Sequence, residues 1–128
     1  MIMKIGNLNI FFIILLLSLN SKAELINGHK VNVSILDKIT SKISNTIIDV
    51  NDNYIHGSLK IEIFACYKKP PEEIPEDLVL LRVFDNIDKG NAIKIFQGWM
   101  ISSSPSATPF EHPIYDIWVN DCLIKKNL

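Results

Sequence analysis

Long apolar runs are nearly absent from this 128-residue sequence. The exception is Ile10–Leu17, which follows Lys4 and precedes a small-x-small pattern at residues 21–23. This run is far shorter than the roughly 20 residues that a transmembrane helix needs. A basic residue, a short apolar run and a small-residue cleavage site are together typical of an export signal. We therefore predict that residues 1–23 form a signal peptide and that the mature chain starts at Glu24, without a membrane span.

A basic excess is missing as well. The chain has 13 basic and 14 acidic residues, and removal of Lys4 and Lys22 with the leader would leave 11 and 14, a formal net charge of −3. Because nucleic-acid binding needs a clustered basic surface, no nucleic-acid partner is expected. Residue 24 is not a cysteine, so the acceptor of a bacterial lipoprotein is lacking. The expected product is a soluble periplasmic or secreted protein whose residues 24–128 form one domain.

Cysteine is limited to one pair, Cys66 and Cys122. In an oxidising compartment such a pair favours a disulfide, and two buried, reduced cysteines are the alternative. The bridge would close a loop of 56 positions and would stabilise the domain by about 4 kcal/mol. Since the pair lacks Cys-x-x-Cys spacing, a structural role is favoured over redox catalysis.

No helical pattern of ten or more residues follows the leader. Apolar side chains instead alternate along residues 59–67 and 115–122, which is the period-two pattern of β-strands. Strict alternation places Phe64 and Trp118 on the same sides as the two cysteines. If the two strands are neighbours, both aromatic rings are predicted to pack around the sulfur atoms.

Four further strands are predicted at residues 31–39, 43–50, 78–84 and 92–96. Isoleucines recur every fourth position in the first pair, but the intervening serine, threonine and asparagine are weak helix formers, so strands are favoured. Turns are expected at residues 40–42 and 51–53, and a loop at residues 85–91. The apolar run 99–101 is either a fully buried strand or an exposed patch. The fold class predicted is all-β, an antiparallel β-sandwich or a small barrel.

Two proline-bearing loops interrupt the strands, at residues 70–76 and 102–113. The first is acidic and carries three prolines, which excludes helix and most ladder pairing. Loops on a rigid β-scaffold commonly carry binding residues. The candidate binding residues on or beside these loops are Trp99, His112, Tyr115, Asp116, Glu72 and Glu73.

The second loop supplies residue types for a catalytic triad, in which His112 would act on a serine at 102–104 and Asp116 would orient the imidazole. No Gly-x-Ser-x-Gly turn is present, and Pro105 has no backbone N–H for an oxyanion. Pro113 favours an extended His112 that bonds the loop backbone instead. The histidines, Asp116 and Cys122 have no recognisable metal-ligand spacing. No catalytic residue, metal or cofactor is therefore assigned.

Four segments carry a family resemblance: ACYKKPPEE at 65–73, FQGWM at 96–100, SSP at 103–105 and EHPIYDIWVNDC at 111–122. Their order and spacing resemble an exported bacterial family catalogued as domain of unknown function 2155. The resemblance covers most of the expected mature chain. It implies a secreted or periplasmic protein of an alphaproteobacterium, and it brings no established activity.

These observations predict a non-enzymatic binding or structural module of the cell envelope, whose partner is another envelope protein. The predicted contact surface joins the acidic proline loop to the loop from Ser102 to His112. The alternatives are an envelope hydrolase that uses His112 and a carrier of a small apolar ligand. A serine and Asp116 both within reach of His112 would favour the hydrolase, and a cavity lined by leucine and isoleucine would favour the carrier.

Overall fold

A computed structural model describes residues 3–17, 24–88 and 90–125. Helix α1 spans Met3–Leu17, and its apolar residues from Ile10 to Leu17 are exposed. The predicted cleavage site at residues 21–23 lies outside the described residues, so removal of the leader stays a prediction. Within the described ranges, every helix is too short or too polar to cross a membrane.

In the described part of the chain, eight strands follow the helix. They are β1 (Ile26–Asn27), β2 (Lys30–Asp37), β3 (Lys42–Asp49), β4 (Asn53–His56), β5 (Leu59–Lys68), β6 (Asp77–Asp88), β7 (Asn91–Ile101) and β8 (Tyr115–Leu123), with a short 3₁₀-helix at Pro105–Ala107. One sheet has the order β5-β6-β7, and both β1 and β4 pair with the other edge of β5. The second sheet has the order β3-β2-β8. Since the pairings are antiparallel and the two sheets pack together, the predicted all-β sandwich is confirmed.

The core lies between the two sheets and is built from aliphatic side chains of both. Its fully buried members include Val31, Val33, Ile35, Leu59, Ile61, Ile63, Val79, Leu81, Val83 and Val119. The period-two pattern buries alternate residues of β2, β5 and β6, as expected for strands with one solvated face. This burial is the main source of stability for a domain with so little helix.

The predicted disulfide between Cys66 and Cys122 is present, with a Cα–Cα distance of 5.9 Å. It joins β5 of one sheet to β8 of the other, so the two cysteine strands face each other across the core rather than pair side by side. Both cysteines are buried. The bridge therefore links the two layers of the sandwich.

The prediction that Phe64 and Trp118 surround the sulfur atoms is wrong, because each cysteine strand contains a β-bulge. The β5–β6 register shifts between Ile63 and Ala65, and the β2–β8 register shifts beside Asn120. Each shift moves the following residues to the other face, so the cysteines join the buried side. Phe64 is left half-exposed beneath the Arg82 guanidinium, 5.0 Å from the ring centre.

The prediction of a loop at residues 85–91 is also wrong. β6 continues to Asp88 and β7 begins at Asn91, so Asp85 and Asn86 belong to the strand. Aspartate and asparagine are common in turns, but here Asp85 is buried against His112, and the N–H of Asn86 donates to the carbonyl of Ser58. Tertiary contacts thus override the local preference for a turn.

Within β7, the side chains of residues 99–101 alternate between the outer face of the sheet and the core. Met100 is buried in the core, whereas Trp99 points outward with 41% of its surface exposed. The Trp99 ring contacts the ring of Tyr67, at 5.8 Å between centroids. The segment is neither fully buried nor a continuous exposed patch.

Candidate functional site: a cleft beneath the proline loop

The two proline-bearing loops meet beside the start of β6. The N–H of Asp77 donates to the Ser102 hydroxyl, and the N–H of Ser102 donates to the Asp77 carbonyl, both at 3.0 Å. The Ser103 hydroxyl also donates to the carboxylate of Glu76. These bonds fix the first part of the second loop against the base of the first. The two loops are therefore in contact at Ser102 and Ser103, and the contact surface for a partner stays a prediction.

A cleft of about 410 Å³ opens beneath the proline loop. Prolines and isoleucines form its apolar wall, and charged and polar side chains form the remainder. The lining residues are Ile26, Lys68, Lys69, Pro70, Pro71, Glu73, Pro75, Glu76, Asp77, Ser102, Asn120 and Ile124. The cleft is thus a surface recess at one end of the sandwich, outside the aliphatic core.

A cluster of charged side chains, of which Asp77 is the buried member, lies at one wall of this cleft. The Lys68 ammonium donates a hydrogen bond of 2.7 Å to Asp121 and lies 3.3 Å from Oδ1 of Asp77. The Asp77 side chain is only 10% exposed. Within the described part of the chain, its Oδ1 atom accepts no hydrogen bond, because the lysine hydrogen bond is directed to Asp121. Asp77 is therefore a buried carboxylate that is ion-paired with Lys68.

The two carboxyl groups of this cluster differ in acidity. Burial raises the pKa of Asp77, and a hydrogen bond with Asp121 adds to the increase. Partial burial opposes the change at Asp121, but hydrogen bonds with Lys68 and Asp77 lower the pKa of that residue. The hydrogen bond to Asp121 in turn raises the pKa of Lys68. Negative charge is consequently most costly at Asp77.

The predicted loop carboxylates lie on the proline loop above the cleft. Glu72 and Glu73 are both exposed, and Glu73 lines the opening. The neighbouring Ile74 is 85% exposed, which places an apolar side chain at the tip of the same loop. Trp99 lies on the outer face of the sheet and is not part of the cleft lining.

His112 lies elsewhere, buried between the two sheets. Its Nε2 atom is 2.6 Å from a carboxylate oxygen of Asp85, and its Nδ1 atom accepts hydrogen bonds from the backbone N–H groups of Ile114 and Tyr115. Since Nδ1 is an acceptor, Nε2 carries the proton and donates to Asp85. The imidazole also stacks on Phe110, at 6.2 Å between centroids. All these contacts hold the loop in place.

Tyr115 and Asp116 complete this second region. The Tyr115 ring packs against both His112 and His56, each at 5.5 Å between centroids, and its hydroxyl lies over Gly57. The Lys38 ammonium pairs with Asp116 at 3.4 Å and donates to the carbonyl of His112 at 2.9 Å. Asp116 thus anchors the β2–β3 turn region instead of orienting the imidazole.

The predicted contact surface is therefore divided between the two ends of the sandwich. Asp77 is the first residue of β6 and Asp85 lies eight positions further along the same strand, which corresponds to roughly 26 Å. Glu72 and Glu73 lie near the first end, whereas His112, Tyr115 and Asp116 lie near the second. Only the start of the second loop reaches the proline loop, and His112 does not belong to that surface.

The residues of the predicted triad are not assembled. Both imidazole nitrogens of His112 bond Asp85 or the backbone, and Asp116 bonds Lys38. The hydroxyls of Ser102 and Ser103 are directed to Asp77 and Glu76. Among the described residues, no group of three or more histidines, cysteines or carboxylates is placed to hold a metal ion.

Comparison with known proteins identifies the class to which this sandwich belongs. Residues 31–122 match a family described as uncharacterized proteins conserved in bacteria, DUF2155, and the chain belongs to this family. The resemblance seen in the sequence is thereby confirmed.

One relative is the uncharacterized protein RP359 of Rickettsia prowazekii (strain Madrid E), which is 33% identical over 101 residues. The match covers 78% of this chain and 64% of the relative, so the chain spans slightly less than two thirds of that protein. No solved structure matches the chain.

Proposed function

We propose that this protein is exported and acts outside the cytosol as a non-enzymatic binding module of the cell envelope, with another envelope protein as its partner. The observation that carries the proposal is the cleft of about 410 Å³ formed where the acidic proline loop meets Ser102. Concave sites with apolar walls and a few fixed polar groups are the usual form of binding sites. In this protein, the hydrogen bonds between Asp77 and Ser102 hold the base of the cleft in place.

Two features support the location outside the cytosol. The first is helix α1, in which the apolar residues 10–17 follow Lys4 and precede the predicted cleavage site. The second is the buried bridge between Cys66 and Cys122, because disulfides persist mainly in oxidising compartments. Cell fractionation tests the location, and the first residue of the recovered chain should be Glu24. A full-length chain retained in the cytosol would contradict export.

The binding role is tested by photo-crosslinking in living cells. A photoreactive phenylalanine analogue placed at Glu73, on the rim of the cleft, should crosslink one discrete envelope protein that mass spectrometry identifies. The same analogue at Ile93, which is 61% exposed near the opposite end of the sheet, is the matched control. The proposal fails if Glu73 yields no adduct, or if both positions yield the same set of proteins.

A further inference from the structure

Strand β3 has an open edge, because among the described strands it pairs with β2 alone. The N–H of Val50 donates to the carbonyl of His29, and this pair continues the regular register of β2 and β3. In an antiparallel ladder, residues that bond one neighbouring strand alternate with residues that face away from it. The even-numbered residues of β3 therefore bond β2. The N–H and C=O groups of Ile43, Asn45 and Ile47 face the open edge.

This edge lacks the features that usually prevent an edge strand from pairing with another chain, which are bulges, prolines and several lysines. The registers of β7 with β6 and of β8 with β2 both contain shifts, so these two edge strands are irregular. In contrast, the pairing of β3 with β2 is regular over its whole length. β3 contains one lysine and no proline. A regular edge of this kind is suited to accept a further strand.

The outer face of β3 carries the same residue type on both sides of Asn45. Ile43 and Ile47 are 55% and 57% exposed, and Asn45 between them is exposed as well. If a second copy pairs antiparallel about a two-fold axis at Asn45, Ile43 of each copy lies opposite Ile47 of the other, and the two Asn45 residues face each other. Since these are the residues whose backbone groups face the edge, each pair can exchange both backbone hydrogen bonds. The exposed isoleucines would then cover one another.

Charge complementarity also favours a second copy. Lys42, at the start of β3, is exposed and makes no ion pair within the described residues. Asp49, at the end of β3, pairs with Lys30 and keeps 58% of its side chain exposed. Antiparallel pairing about Asn45 brings Lys42 of one copy within one position of Asp49 of the other, and this happens at both ends of the interface. In addition, Oδ1 of Asn45 accepts a hydrogen bond from Ser34, which leaves the amide nitrogen to donate to the second Asn45.

We infer that two copies of this protein associate through β3, so that their three-stranded sheets join edge to edge into one continuous antiparallel sheet with a two-fold axis at Asn45. Because each copy uses its only β3 edge in this pairing, the association closes at a dimer. The interface does not include the cleft beneath the proline loop. The inference therefore goes beyond the proposed binding function and does not depend on it.

Analytical ultracentrifugation of residues 24–128, with the disulfide intact, measures the association directly. Among the described residues, every member of the buried core lies between Val31 and Cys122, so this part of the chain contains the whole core without helix α1. Over concentrations from about 1 μM to 1 mM, the molar mass should rise from that of the monomer to twice that value. A monomer throughout this range would overturn the inference, and so would a mass that continues to rise beyond the dimer.

Opposite charges introduced at residue 45 test the two-fold axis. Asn45→Asp and Asn45→Lys each place a charge opposite the same charge, so each variant alone should dimerise roughly fivefold more weakly than the unaltered protein. An equimolar mixture should dimerise more strongly than either variant alone, because the unlike charges then face each other. Ile93→Asp and Ile93→Lys, at a position of β7 that is 61% exposed, are the matched controls and should leave dimerisation unchanged. Undiminished dimerisation of the Asn45 variants, or no gain on mixing them, would refute the axis.

An introduced cysteine gives a second test, which does not need a charged variant to fold. In the proposed dimer the two Cα atoms of residue 45 are about 5.5 Å apart, which is within the range of a disulfide. Asn45→Cys should therefore form disulfide-linked dimers under mild oxidation. Ile47→Cys is the matched control on the same face of β3, because its two Cα atoms would be at least roughly 13 Å apart along the strands. Equal crosslinking of the two variants, or none with Asn45→Cys, would overturn the inference.

Discussion

Gly28 is the position where a single methyl group should disturb this fold most clearly. It lies over the disulfide, and a Cβ atom there would overlap both sulfur atoms. The backbone cannot easily retreat, because the N–H of Gly28 donates to the Cys66 carbonyl and the N–H of His29 donates to the Leu123 carbonyl, both at 2.9 Å. Gly28→Ala is therefore expected to destabilise the protein by about 1–3 kcal/mol, the range typical of an overpacked core.

The sulfur atoms can be removed to test whether this overlap is the cause. In a Cys66→Ala/Cys122→Ala background, the added methyl group meets mainly the carbonyl oxygen of Leu123, at 3.1 Å. Gly28→Ala should then change the free energy of unfolding by less than about 1 kcal/mol. The coupling between the glycine and the cysteines should consequently be about 1–2 kcal/mol in a double-mutant cycle.

Urea unfolding followed by the fluorescence of Trp99 and Trp118 measures all four free energies. Thiol alkylation before unfolding establishes whether the bridge forms in the Gly28→Ala protein. If it fails to form, a further loss of about 4 kcal/mol is expected, since the loop is no longer closed. An equal effect of Gly28→Ala in both backgrounds would refute the proposed overlap with the sulfurs, as would an unchanged stability in the presence of the bridge.

The disulfide, the buried histidine and two aspartates have further measurable consequences. Because both sulfurs are buried, a reductant should leave the bridge intact in the native protein and break it only after urea is added. A gel shift after labelling with a maleimide polymer measures the free thiols, and rapid reduction of the native protein would contradict this prediction. His112→Ala leaves Asp85 and two backbone N–H groups without partners, so a loss of about 2–4 kcal/mol in urea unfolding is expected with partner capture at the cleft retained. Backbone hydrogen bonds in the β2–β3 turn lower the pKa of Asp37. The ionised Asp37 therefore stabilises the fold above its unfolded-state pKa of 3.8, and this contribution is lost as the pH falls through the lower pKa of the folded state. Asp37→Asn should consequently flatten the decrease of Tm in that acid range. Burial raises the pKa of Asp77, so the effect of its ionisation on stability has the opposite sign. The ionised carboxylate disfavours folding above the folded-state pKa, and this penalty is absent below 3.8. The Tm of Asp77→Asn minus that of the unaltered protein should therefore be larger near pH 7 than near pH 3.

Alternation in the sequence was enough to predict the sandwich and most of its strands. The predicted strands at residues 31–39 and 43–50 match β2 and β3, with the predicted polar turn between them. β2 has one buried aliphatic face, whereas β3 buries Ile48 and leaves Ile43 and Ile47 exposed. Asp37 accepts hydrogen bonds from two N–H groups of that turn, and Ser41 adopts a positive φ of 58°. Such turns form from local interactions, which is why sequence reasoning locates them.

The bulges could not be predicted in the same way, because a one-residue shift leaves the alternation of a short strand almost unchanged. On β5, strict alternation would place Phe64 and Cys66 on one face. The register shift after Ile63 instead leaves Phe64 on the outer face and places Cys66 in the core. The energy that selects this register comes from the partner sheet, where Cys122 is placed by its own bulge. Two bulges on opposite sheets thus bring the sulfurs together, and this depends on contacts between residues far apart in sequence.

The acidic residues of β6 gave a signal that pattern analysis missed. Asp77 and Asp85 are in phase with Val79, Leu81 and Val83, so both ends of one buried row carry a carboxylate. Because a buried charge needs a partner, each aspartate in such a row predicts a cationic or hydrogen-donating group on the facing strands. Oδ2 of Asp85 accepts a hydrogen bond from Nε2 of His112, and this contact holds a loop in place. Oδ1 of Asp77 is ion-paired with the Lys68 ammonium at 3.3 Å, and the same ammonium also pairs with Asp121 at 2.7 Å. The same residue type in one buried row is therefore paired in two different ways, with a buried histidine in one place and with a partly exposed lysine in the other.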